Sequence, residues 1–139
     1  KTLANLLVKK LKEIGFDVIM DEAGKFTGGE SGNVIATLKG NRPGKKLLFT
    51  AHMDTVEPGI GVNPIINEEK QIIESDKTTI LGSDDKAGIA AILEAMKTLK
   101  EKASRFSTIR FLLVIGVIFF IFCHSKEMDC YLGFSSFSY

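Results

Sequence analysis

Leu3, Leu6, Leu7, Leu11 and Ile14 recur at intervals of three and four residues, the spacing of one apolar helix face. Lys9, Lys10, Lys12 and Glu13 fall on the opposite side, so this lysine cluster reads as a solvated face rather than a phosphate-binding patch. Gly15 follows the last periodic position and suits a left-handed helix cap. Phe16 to Met20 then reads as a strand, residues 21–32 as a loop rich in Gly, Asp, Glu and Ser, and Asn33 to Leu38 as a second strand. Gly40 to Gly44 is a turn. Lys46 to Ala51 is a short apolar run between turns, the pattern of a buried central strand, and His52 ends it. Pro58, Gly59, Gly61 and Pro64 mark a long loop, with a short strand over Gln71 to Glu74 before the turn at Ser75 to Thr78. From Asp85 to Lys102 the period is helical again, with Ile89, Ile92, Leu93, Met96 and Leu99 on one face. Asp84 and Asp85 stand at its start, where acidic side chains suit the helix dipole. Strands alternating with helices predict an α/β fold, a mostly parallel or mixed sheet flanked by helices. There is no internal repeat.

The 139 residues suffice for one domain with a real core. Composition changes near residue 108. Residues 1–108 hold 31 of the 35 charged side chains, whereas residues 109–139 hold six of the ten Phe, both Tyr and both Cys. The chain therefore divides into residues 1–108 and a divergent apolar tail, residues 109–139. Phe111 to Cys123 is a run of 13 apolar residues, short of the roughly 17 to 20 that cross a membrane, so no span is expected and its first half reads as a buried strand. The net charge of +1 points to no nucleic-acid partner. Cys123 and Cys130 have neither disulfide-framework nor usual zinc spacing, and free thiols make the cytoplasm the default compartment. Lys1 leads into an amphipathic pattern rather than a signal peptide, and without an initiator Met it reads as a start inside a longer protein.

The candidate chemistry lies in two motifs. In His52-Met53-Asp54 the i and i+2 side chains of an extended segment point the same way. His52 can ligate a metal through one ring nitrogen while Asp54 approaches the other, an arrangement usual at zinc sites. A core histidine beside a surface aspartate is the plainer alternative. In Gly82-Ser83-Asp84-Asp85-Lys86-Ala87-Gly88 two adjacent carboxylates precede a helix. One can cap it, and the other is then free for a cation. The plainer alternative is an ordinary acidic helix start. Gly82 and Gly88 permit close backbone approach on either side.

Together, Leu48-Phe49-Thr50-Ala51-His52-Met53-Asp54-Thr55-Val56-Glu57-Pro58-Gly59 and Thr78-Thr79-Ile80-Leu81-Gly82-Ser83-Asp84-Asp85-Lys86-Ala87-Gly88-Ile89-Ala90 resemble the peptidase T-like branch of the co-catalytic zinc aminopeptidases. Related deacylases tend to carry Asp-Met-Lys-Gly where this chain has Asp84-Asp85-Lys86-Ala87. The likeness covers residues 1 to about 108, and Lys77 departs from a usual Gly. It implies two zinc ions, with His52 on one and Asp84 bridging both. Asp85 is the next candidate ligand. Asp54 enters the catalytic machinery by orienting His52. It also implies a cis Asp84–Asp85 peptide and hydrolysis of the N-terminal residue from short peptides, and it allows a homodimer in the complete enzyme.

Such enzymes carry a Gly-Glu-Glu segment at the end of the next strand, the first Glu acting as base and the second as ligand. Ile109 to Ile118 aligns with that strand without a gap, and Gly116 takes the glycine position. Val117 and Ile118 follow, and neither can ligate a metal or move a proton. The further Asp and His ligands would lie beyond residue 139. His124, Glu127 and Asp129 read as a polar connector. One reading makes this the amino-terminal part of a peptidase, catalytically silent, with a foreign or frame-shifted tail. A second makes it a non-catalytic metal-binding or interaction module with a genuine tail. A third makes the parent an acyl-amino-acid deacylase of the same superfamily.

Overall fold

A computed structural model of the chain describes residues 2–115. In chain order the elements are α1 (Thr2–Ile14), β1 (Asp17–Met20), α2 (Ala23–Thr27), β2 (Val34–Leu38), β3 (Leu47–His52), β4 (Pro64–Asn67), β5 (Ile72–Ser75), α3 (Ser83–Glu101) and β6 (Ile109–Val114). The period in α1 buries Ala4, Leu7 and Leu11 and leaves the lysines in water. Gly15 ends it at φ +100°, and the Phe16 N–H returns to the Leu11 carbonyl at 3.0 Å, the left-handed cap expected there.

Four strands form one sheet in the order β1-β2-β6-β3. β1 and β2 are antiparallel, as are β2 and β6, while β6 and β3 run parallel. The sheet is therefore mixed. α1 packs on β1 and β2, α3 packs on β3, and the two helices touch. Between helices and sheet lie Leu7, Leu11, Phe16, Val34, Ile89, Met96, Phe111 and Leu113. A fully buried aliphatic or aromatic side chain of this kind contributes about 1.5–3 kcal/mol through loss of apolar surface to water.

The run ending at His52 is a strand, but it stands at the edge of this sheet among the described residues. β6 takes the centre instead. Its Ile109, Phe111 and Leu113 are 2 %, 0 % and 0 % exposed, whereas Leu47 on β3 is 50 % exposed. A short apolar run reports that one face is covered and carries no information about neighbours in the hydrogen-bonding direction. Ile109–Val114, on the far side of the composition change, is the strand expected over the first half of the apolar run. Residues 116–139 lie outside the described residues.

Two elements are additions to the expected set. The residue 21–32 loop contains α2, too short for a periodic signal. β4 pairs with β5 in a separate two-stranded sheet, and only Ile65 and Ile66 mark it in the sequence. No helix among the described residues is long and apolar enough to cross a membrane.

Candidate metal centre

β3 delivers His52 to the carboxyl edge of the sheet. The ladder continues one residue further, where the Met53 N–H donates to the Val114 carbonyl at 2.8 Å, and the Met53 side chain is buried. That anchor fixes the backbone on which His52 and Asp54 stand. His52 Nδ1 lies 3.0 Å from the main-chain carbonyl oxygen of Asp54, whereas the Asp54 carboxylate is 3.6 Å away. Asp54 thus holds the ring mainly through its backbone carbonyl rather than its carboxylate.

The tautomer follows from this contact. A carbonyl oxygen only accepts, so Nδ1 carries the hydrogen and the neutral ring keeps its lone pair on Nε2. Nε2 faces Asp84 Oδ1 at 3.3 Å. Two lone pairs at that separation repel unless a proton or a cation lies between them. Zinc–nitrogen and zinc–oxygen bonds of about 2.0–2.2 Å, at a tetrahedral angle, place two ligand atoms about 3.4 Å apart. The pair therefore fits one cation as two of its ligands.

Asp84 reaches this position through an irregular start to α3. Gly82, at φ +68°, occupies the cap position, and neither Asp84 (φ −87°, ψ 111°) nor Asp85 (φ −111°, ψ 30°) is helical. The Asp84–Asp85 peptide is cis. No side chain caps this end, so the expectation that one of the two carboxylates serves as a cap is replaced by another division of labour. Asp84 extends into solvent toward His52, its side chain 93 % exposed against 25 % for His52. Asp85 folds back over the helix instead. A Cβ on Gly88 would meet Asp85 Oδ1 at 2.2 Å, so Gly88 is the space that receives this carboxylate. Gly82 is similarly close to the first motif, since a Cβ there would stand 3.3 Å from Thr55 Cγ2.

The structure thus brings His52 and Asp84 together, with Asp54 behind the ring and Asp85 turned toward Gly88. Among the described residues no three ligand-type side chains converge. Val117 and Ile118 lie outside them.

A second polar cluster supports this edge and has no local signature in the sequence. Asp21 Oδ1 accepts from the Asn33 N–H at 2.7 Å and the Ala23 N–H at 3.0 Å, and its Oδ2 accepts from Asn33 Nδ2 at 2.9 Å. Asn33 Oδ1 in turn accepts the Ile115 N–H at 3.0 Å. Asn33 is 5 % exposed, so its amide is a buried polar group with its bonds made. It ties the end of β6 to the start of α2 across a separation that no sequence period reports. Beside it, a cavity of about 390 Å³ is lined by Leu3, Ala4, Met53, Asp54 and Ile115 among others.

Residues 33–116 match the sequence profile of peptidase family M28. The chain belongs to that family. Within it the likeness is to peptidase T-like metallopeptidases. Uncharacterized protein YqjE of Bacillus subtilis is 45 % identical over 114 residues, covering 82 % of this chain and 30 % of that protein. Peptidase T of Bacillus subtilis is 35 % identical over 144 residues, covering 78 % of this chain and 33 % of that protein. Among solved structures, a tripeptidase from Staphylococcus aureus superposes with a TM-score of 0.78 at 41 % identity, covering 83 % of this chain and 31 % of that one. The chain thus spans about a third of the length of the relatives it matches. The M28 match includes β3, α3 and β6, the elements that carry and frame His52 and Asp84.

Proposed function

We propose that this sequence belongs to a metal-dependent aminopeptidase that removes N-terminal residues from short peptides, and that the chain itself holds a metal through two side chains without turning substrate over. The observation that carries this reading is His52 Nε2 facing Asp84 Oδ1 at 3.3 Å while Nδ1 is held by the Asp54 carbonyl. The match to a peptidase family supports the reaction class, and the names peptidase T and tripeptidase among the relatives support a short-peptide substrate. Zinc is the metal that the imidazole and carboxylate donors suit best, and two ions are expected in the complete enzyme.

A bound cation of this kind lowers the pKa of a water and polarises a carbonyl. His52 and Asp84 would hold it, the Asp54 carbonyl keeps the imidazole in the ligating tautomer, and Asp85 is the remaining carboxylate on the same segment. The proton-transfer step needs a base beyond the metal, and the position expected for it holds Val117, which has no titratable group. The two-donor site therefore favours metal binding over catalysis in this chain.

The test is release of the N-terminal residue from an unmodified tripeptide, with zinc added and with a chelator. The expected result is no difference between the two. Zinc-dependent release above the blank, lost in His52→Ala, would show that a base exists elsewhere and that the assignment of Val117 to the base position is wrong.

A further inference from the structure

On the reading of His52 and Asp84 as metal donors, we infer that Asp21 and Asn33 are positioning residues for the metal centre, acting on His52 through a line of hydrogen bonds along the carboxyl edge of β3. Asp21 follows β1, Asn33 precedes β2, Ile115 follows β6 and Met53 follows β3, so all four lie at the same edge of the sheet β1-β2-β6-β3. Asp21 Oδ2 accepts from Asn33 Nδ2 at 2.9 Å, and Asn33 Oδ1 accepts the Ile115 N–H at 3.0 Å. The Val114 carbonyl, in the same peptide group as that N–H, accepts the Met53 N–H at 2.8 Å. The Met53 N–H in turn belongs to the peptide group of the His52 carbonyl. One side-chain amide and two planar peptide groups thus join the Asp21 carboxylate to the backbone that carries His52.

The line begins where the backbone ladder stops, since the last paired residues of β2 and β6 at this edge are Val34 and Leu113. Its polarity leaves one arrangement. A carboxylate only accepts and an N–H only donates, so turning the Asn33 amide over would set two donors together at Ile115 and two acceptors together at Asp21. Every dipole points the same way, and bonds aligned head to tail in a low dielectric strengthen one another. Asn33 is 5 % exposed. Its main chain is fastened to the same partner, the Asn33 N–H donating to Asp21 Oδ1 at 2.7 Å and the Asp21 N–H to the Asn33 carbonyl at 3.0 Å. Gly32 makes this approach possible, because a Cβ there would stand 1.8 Å from the Asp21 carbonyl oxygen. At its far end the line sets the peptide between His52 and Met53. The Asp54 carbonyl, which follows closely, holds Nδ1 at 3.0 Å. A shift of that peptide therefore changes the 3.3 Å separation of His52 Nε2 and Asp84 Oδ1.

The experiment is a zinc titration of the full chain by calorimetry, with the Met53 amide proton shift read by NMR as a measure of its hydrogen bond and folding checked by circular dichroism. Asn33→Ala should weaken zinc binding about fivefold, below the roughly 10–100-fold loss for a direct partner of a ligand, and move the Met53 amide upfield. Asp21→Asn keeps the side-chain size but sets two amide donors together, and should do the same. Combining Asp21→Asn with Asn33→Asp exchanges one donor with its acceptor and remakes every bond of the line, so both readouts should recover. Leu7→Ala, at a buried position of α1 away from the line, separates positioning from stability: it should lower the urea midpoint and leave zinc affinity and the Met53 amide where they were. Zinc binding that is lost in His52→Ala but unchanged in Asn33→Ala and Asp21→Asn overturns the positioning role and leaves the metal reading standing. So does an equal loss of affinity in Leu7→Ala. A parent chain that binds no zinc overturns the metal reading and the positioning role with it.

Discussion

The imidazole of His52 is the residue on which the account turns, and its two nitrogens have separate tasks. Nδ1 is committed to a carbonyl and Nε2 is left facing a carboxylate. His52→Ala should therefore remove measurable zinc binding in a calorimetric titration. Asp54→Ala should cost less than tenfold, because the main-chain carbonyl stays; substitutions behind a metal ligand cost roughly 10–100-fold when the side chain makes the orienting bond. A loss of a hundredfold in Asp54→Ala would return the orienting role to the carboxylate. Away from the site, the Thr78 hydroxyl and then the Thr78 N–H bond the Asp76 carboxylate and hold its pKa below the usual value. A depressed carboxylate adds stability above its unfolded pKa of about 3.9 and loses it as pH falls through the folded value. Thr78→Val should raise the Asp76 titration midpoint toward the ordinary range, read by NMR, and an unmoved midpoint would remove Thr78 as the principal cause. Residue type and spacing alone leave a plainer alternative open for each motif, and it is the family resemblance of the two together that favours the metal reading. The use of the Asp54 carbonyl was not legible in the sequence, because a main-chain contact leaves no residue preference behind.

At the scale of elements, periodicity located α1, α3 and most strands, since burial of one face imposes the pattern directly. It did not locate α2 or β4, whose few residues are too short to repeat. It also could not order the strands, so the apolar run of β3 suggests a central strand, whereas among the described residues β3 stands at the edge and β6 inside the sheet. What sets that order is long-range pairing, including the Asp21–Asn33–Ile115 chain of bonds. Asn33→Ala would leave Asp21 and the Ile115 N–H short of partners, and losing one member of such a buried set costs about 1–3 kcal/mol. Urea denaturation should show that loss as a lowered midpoint with unchanged slope, and an unchanged midpoint would mean that water replaces the amide without cost. Phe111→Ala, at a fully buried position of β6, should cost about 3–5 kcal/mol by the same measurement.

At the scale of the whole molecule, the carboxyl edge of a peptidase-family sheet brings His52 and Asp84 together, and among the described residues no third ligand-type side chain joins them. The match to M28 extends to residue 116, just short of Val117 and Ile118, where the base and a further ligand were expected. We propose that the departure there is the point at which catalysis is lost. Reading the coding DNA in all three frames across residues 105–139 bears on its origin: a neighbouring frame that restores Gly-Glu-Glu after Ile115 would make the tail a shifted frame, and its absence would make Val117 and Ile118 genuine. The central claim, a cation held between His52 Nε2 and Asp84, is tested most directly by ¹⁵N NMR of the imidazole nitrogens during a zinc titration, with His124→Gln leaving His52 as the only histidine. The account predicts that zinc shifts Nε2 while Nδ1 keeps its hydrogen, and that Asp84→Asn weakens the response. A zinc-induced change at Nδ1, or no change at either nitrogen, would contradict it.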